Sequence, residues 1–148
     1  MKKRVYVDMD GVLADFYNTA KKFLKENPQQ PFPQSRWGFF LSLPEIENAI
    51  SSFKELEKDY DMWILTRPSV KNVNCYTEKA QWLLDHIGGD ILDRTIMSCN
   101  KSLVKGDYLI DDQLEYGQTE FEGKFLHFGS ADYPDWKTVV EYLKKELN

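Results

Sequence analysis

The sequence predicts an α/β domain with a mostly parallel sheet and helices on both faces. Three observations predict it. Short apolar runs of strand length alternate with segments of helical spacing along the chain. The first run shows little polar alternation, the pattern of a strand buried on both faces. Three of the runs end in unusual polar clusters, Asp8-Met9-Asp10-Gly11, Thr66-Arg67-Pro68 and Asp111-Asp112. In open parallel sheets, ligands bind beyond those carboxyl ends of the strands.

The elements follow in order. Arg4 to Asp8 reads as the first strand. Ala14 to Lys25 reads as an amphipathic helix, with Phe16, Ala20, Phe23 and Leu24 on one side. Asn27 to Pro44 breaks the pattern: it holds four of the six prolines together with Phe32, Trp37, Phe39 and Phe40, a composition suited to an irregular excursion. Glu45 to Glu57 returns to helical spacing through Ile46, Ile50, Phe53 and Leu56, and Met62 to Leu65 is a second buried strand. Thr77 to His86 is a helix ended by Gly88-Gly89. Thr95 to Met97, Tyr108 to Ile110 and Phe125 to Phe128 are three further strands. Asp135 to Leu147 closes the chain as a helix, with Trp136, Val139, Val140 and Leu143 facing inward, and Tyr116 to Gly123 is a loop near the acidic pair.

The bulk composition narrows the function. The chain has 148 residues, 42% of them hydrophobic and 14% aromatic, enough for one core. Its formal net charge of -5 argues against a nucleic-acid polymer as partner, so an anionic ligand would need individually placed cations. Cys75 and Cys99 form no CxxC pair and lie near no histidine cluster, which argues for two reduced, partly buried thiols and against zinc. The apolar run after Met1-Lys2-Lys3-Arg4 is too short for an export signal, and no stretch approaches membrane-spanning length. A cytoplasmic protein is expected, with a homodimer left open.

The chemistry lies in the strand ends. Each acid alone reads as readily as a turn residue, since Asp-Gly is an ordinary turn dipeptide. If the strands are neighbours, however, four carboxylates converge on one spot. Like charges that close are costly in a partly dry site unless a cation lies between them. Oxygen donors of this kind suit magnesium, which takes one or two protein carboxylates, waters and a substrate phosphate. Asp8 and Asp10, two apart on an extended segment, point broadly the same way and can divide the work of nucleophile and general acid-base. Lys101, ten residues before Asp111, could balance the acids and hold a phosphate oxygen; alone it would read as a solvated surface lysine. His86 and His127 read as structural or surface residues.

These residues resemble a known set of motifs. Asp8 to Phe16 resembles the first motif of the haloacid dehalogenase superfamily, Ile64 to Pro68 the second, Lys101 the third and Asp107 to Asp112 the fourth. Ala14-Asp15-Phe16, Tyr76 to Lys79, Leu109 to Asp112, and Phe128-Gly129-Ser130 with Asp135-Trp136 are most similar to the 5'(3')-deoxyribonucleotidase family within it. The resemblance implies a Rossmann-like three-layer α/β/α core over residues 1–16 and 45–148, with a small reduced cap over 17–44. It implies a magnesium-dependent phosphatase working through an aspartyl-phosphate on a nucleoside monophosphate, with another small phosphate ester as the alternative.

It also implies roles. Asp8 is the nucleophile and a metal ligand. Asp10 is the acid-base, with its main-chain carbonyl on the metal. Thr66 and Lys101 bond the transferring phosphoryl group. Asp112 is a direct metal ligand, with Asp111 behind it. Phe16 and Lys79 are implied to bind substrate; Arg67, which sits where some relatives carry a serine, could contact phosphate or pair with one of the acids. Trp37, Phe39 and Phe40 could stack on a base or simply pin the short insert onto the core. A non-catalytic binding protein is disfavoured because every motif position is filled, whereas a phosphotransferase would share the first half-reaction.

Overall fold

Five strands, β1 (Arg4–Val7), β2 (Asp61–Thr66), β3 (Thr95–Met97), β4 (Tyr108–Asp111) and β5 (Lys124–His127), form one parallel sheet in the order β3-β2-β1-β4-β5. A computed structural model describes all residues from Met1 to Asn148. The chain steps outward from β1 to β2 to β3, then returns to the other side of β1 for β4 and β5. That reversal makes a crevice at the carboxyl ends of β1 and β4. The register puts Val7 between Ile64 of β2 and Ile110 of β4, so the residues that follow these three strands emerge side by side.

Alternation along the strands sorts the core into two unequal parts. Val5, Val7, Met62, Ile64, Ile110 and Leu126 join α2 (Ala49–Leu56), α3 (Asn74–His86) and α4 (Trp136–Lys145) in a cluster of 28 buried residues. Tyr6, Leu65 and Leu109 face the other way and meet only Phe121, with Trp63, Ile96, Val104 and Phe125 half-buried around them. The parallel α/β fold is the one the strand pattern predicts. The layer on the second face is thinner than helices on both faces would make it. The connections over residues 98–107 and 112–123 are short and hold a single 3₁₀ turn, Lys101–Leu103, and no α-helix.

The first helix, α1, runs Phe16–Glu26, and the Asp15 side chain caps it by accepting from the Asn18 amide at 3.3 Å. Residues 27–44 then contain two 3₁₀ turns, Pro33–Ser35 and Phe40–Ser42, as the prolines lead one to expect. Phe39, Phe40 and Leu43 are buried in the main cluster, so they pin the insert down. The Trp82 indole donates to the Leu43 carbonyl at 2.8 Å, fixing the return of the chain. Of the two thiols, Cys75 is buried, but Cys99 is exposed rather than partly buried.

Between β1 and α1 the backbone coils once. The Met9 carbonyl accepts from the amides of Leu13 and Ala14 at 2.8 and 2.9 Å. Gly11 lies at φ +82°, and a Cβ there would come 2.3 Å from Asp112 Oδ2, so only glycine lets this turn pass so close to the end of β4. The turn is anchored from the far end of the chain: the Trp136 indole, 1% exposed, donates to the Val12 carbonyl at 2.8 Å. Replacing Trp136 by Phe keeps most of the apolar contact but leaves that buried carbonyl unpaired. The expected loss is about 1–3 kcal/mol, read as a lower urea unfolding midpoint at unchanged slope.

Candidate active site

The extended backbone carries on past β1, where the Asp8 amide donates to the Ile110 carbonyl at 2.9 Å. Asp8 therefore stands beside the end of β4, 5% exposed. Lys101 arrives from the 3₁₀ turn after β3, 1% exposed, and its ammonium donates to Asp8 Oδ1 at 2.7 Å and to Asp111 Oδ2. Asp111 is fully buried, and its other oxygen accepts from the Gln113 amide at 2.9 Å. Both oxygens of Asp111 are thus engaged, and its effect is to hold Lys101. Asp112 is different: Oδ2 accepts from the Gln113 side chain at 3.2 Å, while Oδ1 is buried without any partner. One oxygen from each of Asp8, Asp111 and Asp112 lies within 4.8 Å of the others.

A second lysine organises the other side. Lys79 of α3, fully buried, donates to Thr66 Oγ1 and to the Arg67 carbonyl, each at 2.7 Å, and pairs with Asp10 Oδ2 at 3.0 Å. Asp10 Oδ1 has no partner. Thr66, also fully buried, is fixed at the end of β2 by this bond.

Crowding shifts the charges in opposite senses. Burial pushes the Asp112 and Asp111 carboxyls upward, and the Asp8 charge pushes them further. Burial also raises Asp10, Lys79 pulls it back, and Asp8 adds to the rise. Burial alone would lower Lys101, but Asp8 and Asp111 outweigh it and hold the ammonium charged. An oxygen-rich set with an orphaned buried Asp112 Oδ1 and two upward-shifted acids suits a hard divalent cation such as magnesium. Asp8 and Asp112 have the oxygens to hold it.

A cavity of about 200 Å³ opens over these groups. Asp8, Asp10, Lys101 and Asp111 form its floor, and Phe16, Tyr17, Arg67 and Tyr116 its walls. A second cavity, about 260 Å³, adjoins it, shares Asp10, Phe16 and Arg67, and adds Phe32, Phe40 and Lys71. The structure therefore brings together Asp8, Asp10, Thr66, Lys101, Asp111 and Asp112, with Phe16 and Arg67 at the cavities. Lys79 lies beneath them and lines neither cavity. Trp37 is not brought in: it is 78% exposed in a surface recess with Phe23, Arg36 and Phe39, because the buried side chains on its flank, Phe39 and Phe40, turn it outward.

Tyr17, Gln113, Tyr116 and Gln118 also line the first cavity. Sequence reasoning did not single these out. Tyr17 and Gln113 each follow directly on a motif residue, and the Tyr17 hydroxyl accepts from the Gln113 side chain across the mouth. His86 stacks on Trp82, with ring centroids 3.8 Å apart, and His127 meets the Asp112 carbonyl at 3.1 Å; both are structural.

Known proteins resemble this chain in sequence and in fold. The sequence model of the family described as "5' nucleotidase, deoxy (Pyrimidine), cytosolic type C protein" matches residues 30–133. A deoxyribonucleotidase-family protein of Vibrio phage KVP40 is 35% identical, over 98% of this chain and 86% of its own. The human 5'(3')-deoxyribonucleotidase of cytosolic type is 33% identical, over 93% of this chain and 78% of its own. In fold, a haloacid dehalogenase-like family hydrolase from Xanthomonas campestris is similar at a TM-score of 0.63 and 12% identity, covering 97% of this chain and 91% of that one. The ordered motifs at the strand ends and the matches across nearly the whole chain agree, and the chain belongs to the 5'(3')-deoxyribonucleotidase family.

Proposed function

We propose that the protein is a magnesium-dependent phosphatase that removes phosphate from (deoxy)nucleoside monophosphates through an aspartyl-phosphate on Asp8. The observation that carries this reading is the buried Lys101 bridge between Asp8 and Asp111, beside the unpartnered oxygen of Asp112. Lys101 binds one oxygen of Asp8 and leaves the other to attack phosphorus. As the new oxygen–phosphorus bond forms, the ester bond breaks and the leaving alkoxide takes a proton from Asp10. Asp10 suits that role: its Oδ2 is tied to Lys79, its Oδ1 is unpartnered, and its burial favours the protonated form. In the second half, Asp10 takes a proton from water, the water oxygen attacks phosphorus, and the bond to Asp8 breaks to release phosphate.

Thr66 and Lys101 would hold the phosphoryl oxygens, and Lys79 keeps Thr66 and Asp10 in register. Asp8, Asp112 and the Asp10 carbonyl would hold magnesium, which supplies positive charge for the transferring phosphoryl group. Arg67 and Phe16 line the path to the second cavity, where Phe32 and Phe40 offer apolar faces to a base. Residues 17–44 serve as the small cap and residues 1–16 and 45–148 as the core. No helix is long and apolar enough to cross a membrane.

Three outcomes follow. In a panel of nucleoside monophosphates and sugar phosphates, release of phosphate should favour nucleotides and stop in excess chelator; equal rates across the panel would remove the nucleotide assignment. Asp8→Asn should slow hydrolysis by roughly 10³-fold or more while circular dichroism stays unchanged, and acid-quenched wild type, but not this variant, should retain phosphate from labelled substrate.

The third outcome concerns pH without metal. Asp112 has a folded-state pKa above its unfolded value, so folding loses stability as pH rises through the folded pKa, and the penalty vanishes in acid. In chelator at neutral pH and above, Asp112→Asn should therefore melt higher than wild type, by roughly 2–4 °C for each kcal/mol relieved, with the gap closing on acidification. Added magnesium should raise the melting temperature of wild type and not of the variant.

A further inference from the structure

Arg67 is surrounded by acids yet makes no ion pair; its guanidinium lies over the Tyr116 ring instead, 4.0 Å from the centroid, with Nε buried and unpartnered. Both side chains line the first cavity, and Arg67 alone of the two reaches the second. Tyr116 is itself held rigidly. Its amide donates to the Gln118 side chain at 2.7 Å, and Gln118 is 1% exposed. Its carbonyl accepts from the Lys101 amide at 2.8 Å. Gly117, at φ +87°, allows this contact, since a Cβ there would lie 2.2 Å from Asn100 Oδ1 and 3.0 Å from the Lys101 amide.

From this geometry we propose that Tyr116 is a positioning residue for the substrate's phosphate: its ring holds Arg67 as a free-edged cation facing an oxyanion. The inference rests on the phosphatase reading of the same site. A guanidinium stacked on a ring keeps its N–H edge open for a planar, two-point grip on phosphate oxygens. Pairing with a carboxylate would occupy that edge. The ring attracts the cation through its quadrupole and prevents its collapse onto the nearby acids. Through its carbonyl the same residue also fixes the turn that presents Lys101, so the two cations at the cavity are set by one loop. Fixing Arg67 beforehand removes the ordering cost from the binding step. The effect therefore falls on phosphate affinity and KM more than on kcat.

The test titrates inorganic phosphate into the magnesium-loaded protein by calorimetry. Arg67→Ala should weaken phosphate roughly ten- to hundredfold, the loss of a charge-assisted contact. Tyr116→Leu should weaken it about three- to tenfold, and Tyr116→Phe should restore most of that loss. In an Arg67→Ala background, Tyr116→Leu should have no further effect. If Tyr116→Leu does not fold, pentafluorophenylalanine at position 116 keeps the shape and reverses the ring's charge distribution; it should bind phosphate more weakly than Tyr116→Phe. Kinetics of the Tyr116 variants should show KM raised by the same factors, with a smaller change in kcat. Equal losses in the presence and absence of Arg67, or no difference between the fluorinated and plain rings, would overturn the proposal. Phosphate binding does not depend on the nucleoside. A wild type that ignores nucleotides but shows this pattern would remove the nucleotide assignment and leave the role of Tyr116 standing.

Discussion

The ammonium of Lys101, sealed between Asp8 and Asp111, is the contact on which the rest of the site depends. Those carboxylates stand at the ends of neighbouring strands, brought together by backbone pairing that takes no account of charge. Two buried anions so close would repel strongly and push each other toward protonation. One buried cation between them changes the balance, because its own desolvation cost is met by two short contacts. Removing the lysine would leave both acids uncompensated, whereas removing either acid would leave the ammonium with one. The interaction thus joins the packing problem to the chemical one: the group that makes the strand ends tolerable is also the one that, in the proposed mechanism, meets a phosphoryl oxygen.

Lys79 repeats the device one strand over. It reaches from α3 to the end of β2, through Thr66 and the Arg67 carbonyl, and to the turn after β1, through Asp10. Lys101 and Lys79 together link the ends of β1, β2 and β4, with neither lysine exposed. The consequence is a floor held by charge-assisted bonds from helix and turn, rather than by loops. The motif resemblance assigned Lys79 to the substrate. The structure gives its bonds to the protein, which makes it a fixer of Asp10 and Thr66.

The sequence discloses these features unevenly. The strands were readable because each is an apolar run short enough to exclude a helix, and the strand-end acids were readable because such residues rarely interrupt apolar runs in that order. The covering of the second sheet face was not readable. Residues 98–107 and 112–123 carry no period, and their one buried aromatic, Phe121, does its work through tertiary contact with Tyr6, at 6.2 Å between ring centroids. Trp37 shows the same limit in reverse. Composition marks it as an aromatic in the insert, but whether it faces the cavity depends on which neighbours the core takes, and the core takes Phe39, Phe40 and Leu43. Tyr17 and Gln113 belong to the site as direct neighbours of motif residues, and Tyr116 through backbone contacts that no local pattern encodes.

Gly11 and Gly117 show how that geometry is secured. Each sits at positive φ, and each would drive a Cβ into a functional neighbour: Asp112 for Gly11, the Lys101 turn for Gly117. A turn needs glycine only for its dihedral angles, and many turns would accept asparagine instead. Here the second constraint, close approach, removes that latitude. The two glycines thus bring separate connections against the same carboxylate–lysine cluster. Distance along the chain matters little to such a site, because its precision comes from which backbones can touch. The strands fix where the acids start, and the glycines fix how closely the remaining loops can close around them.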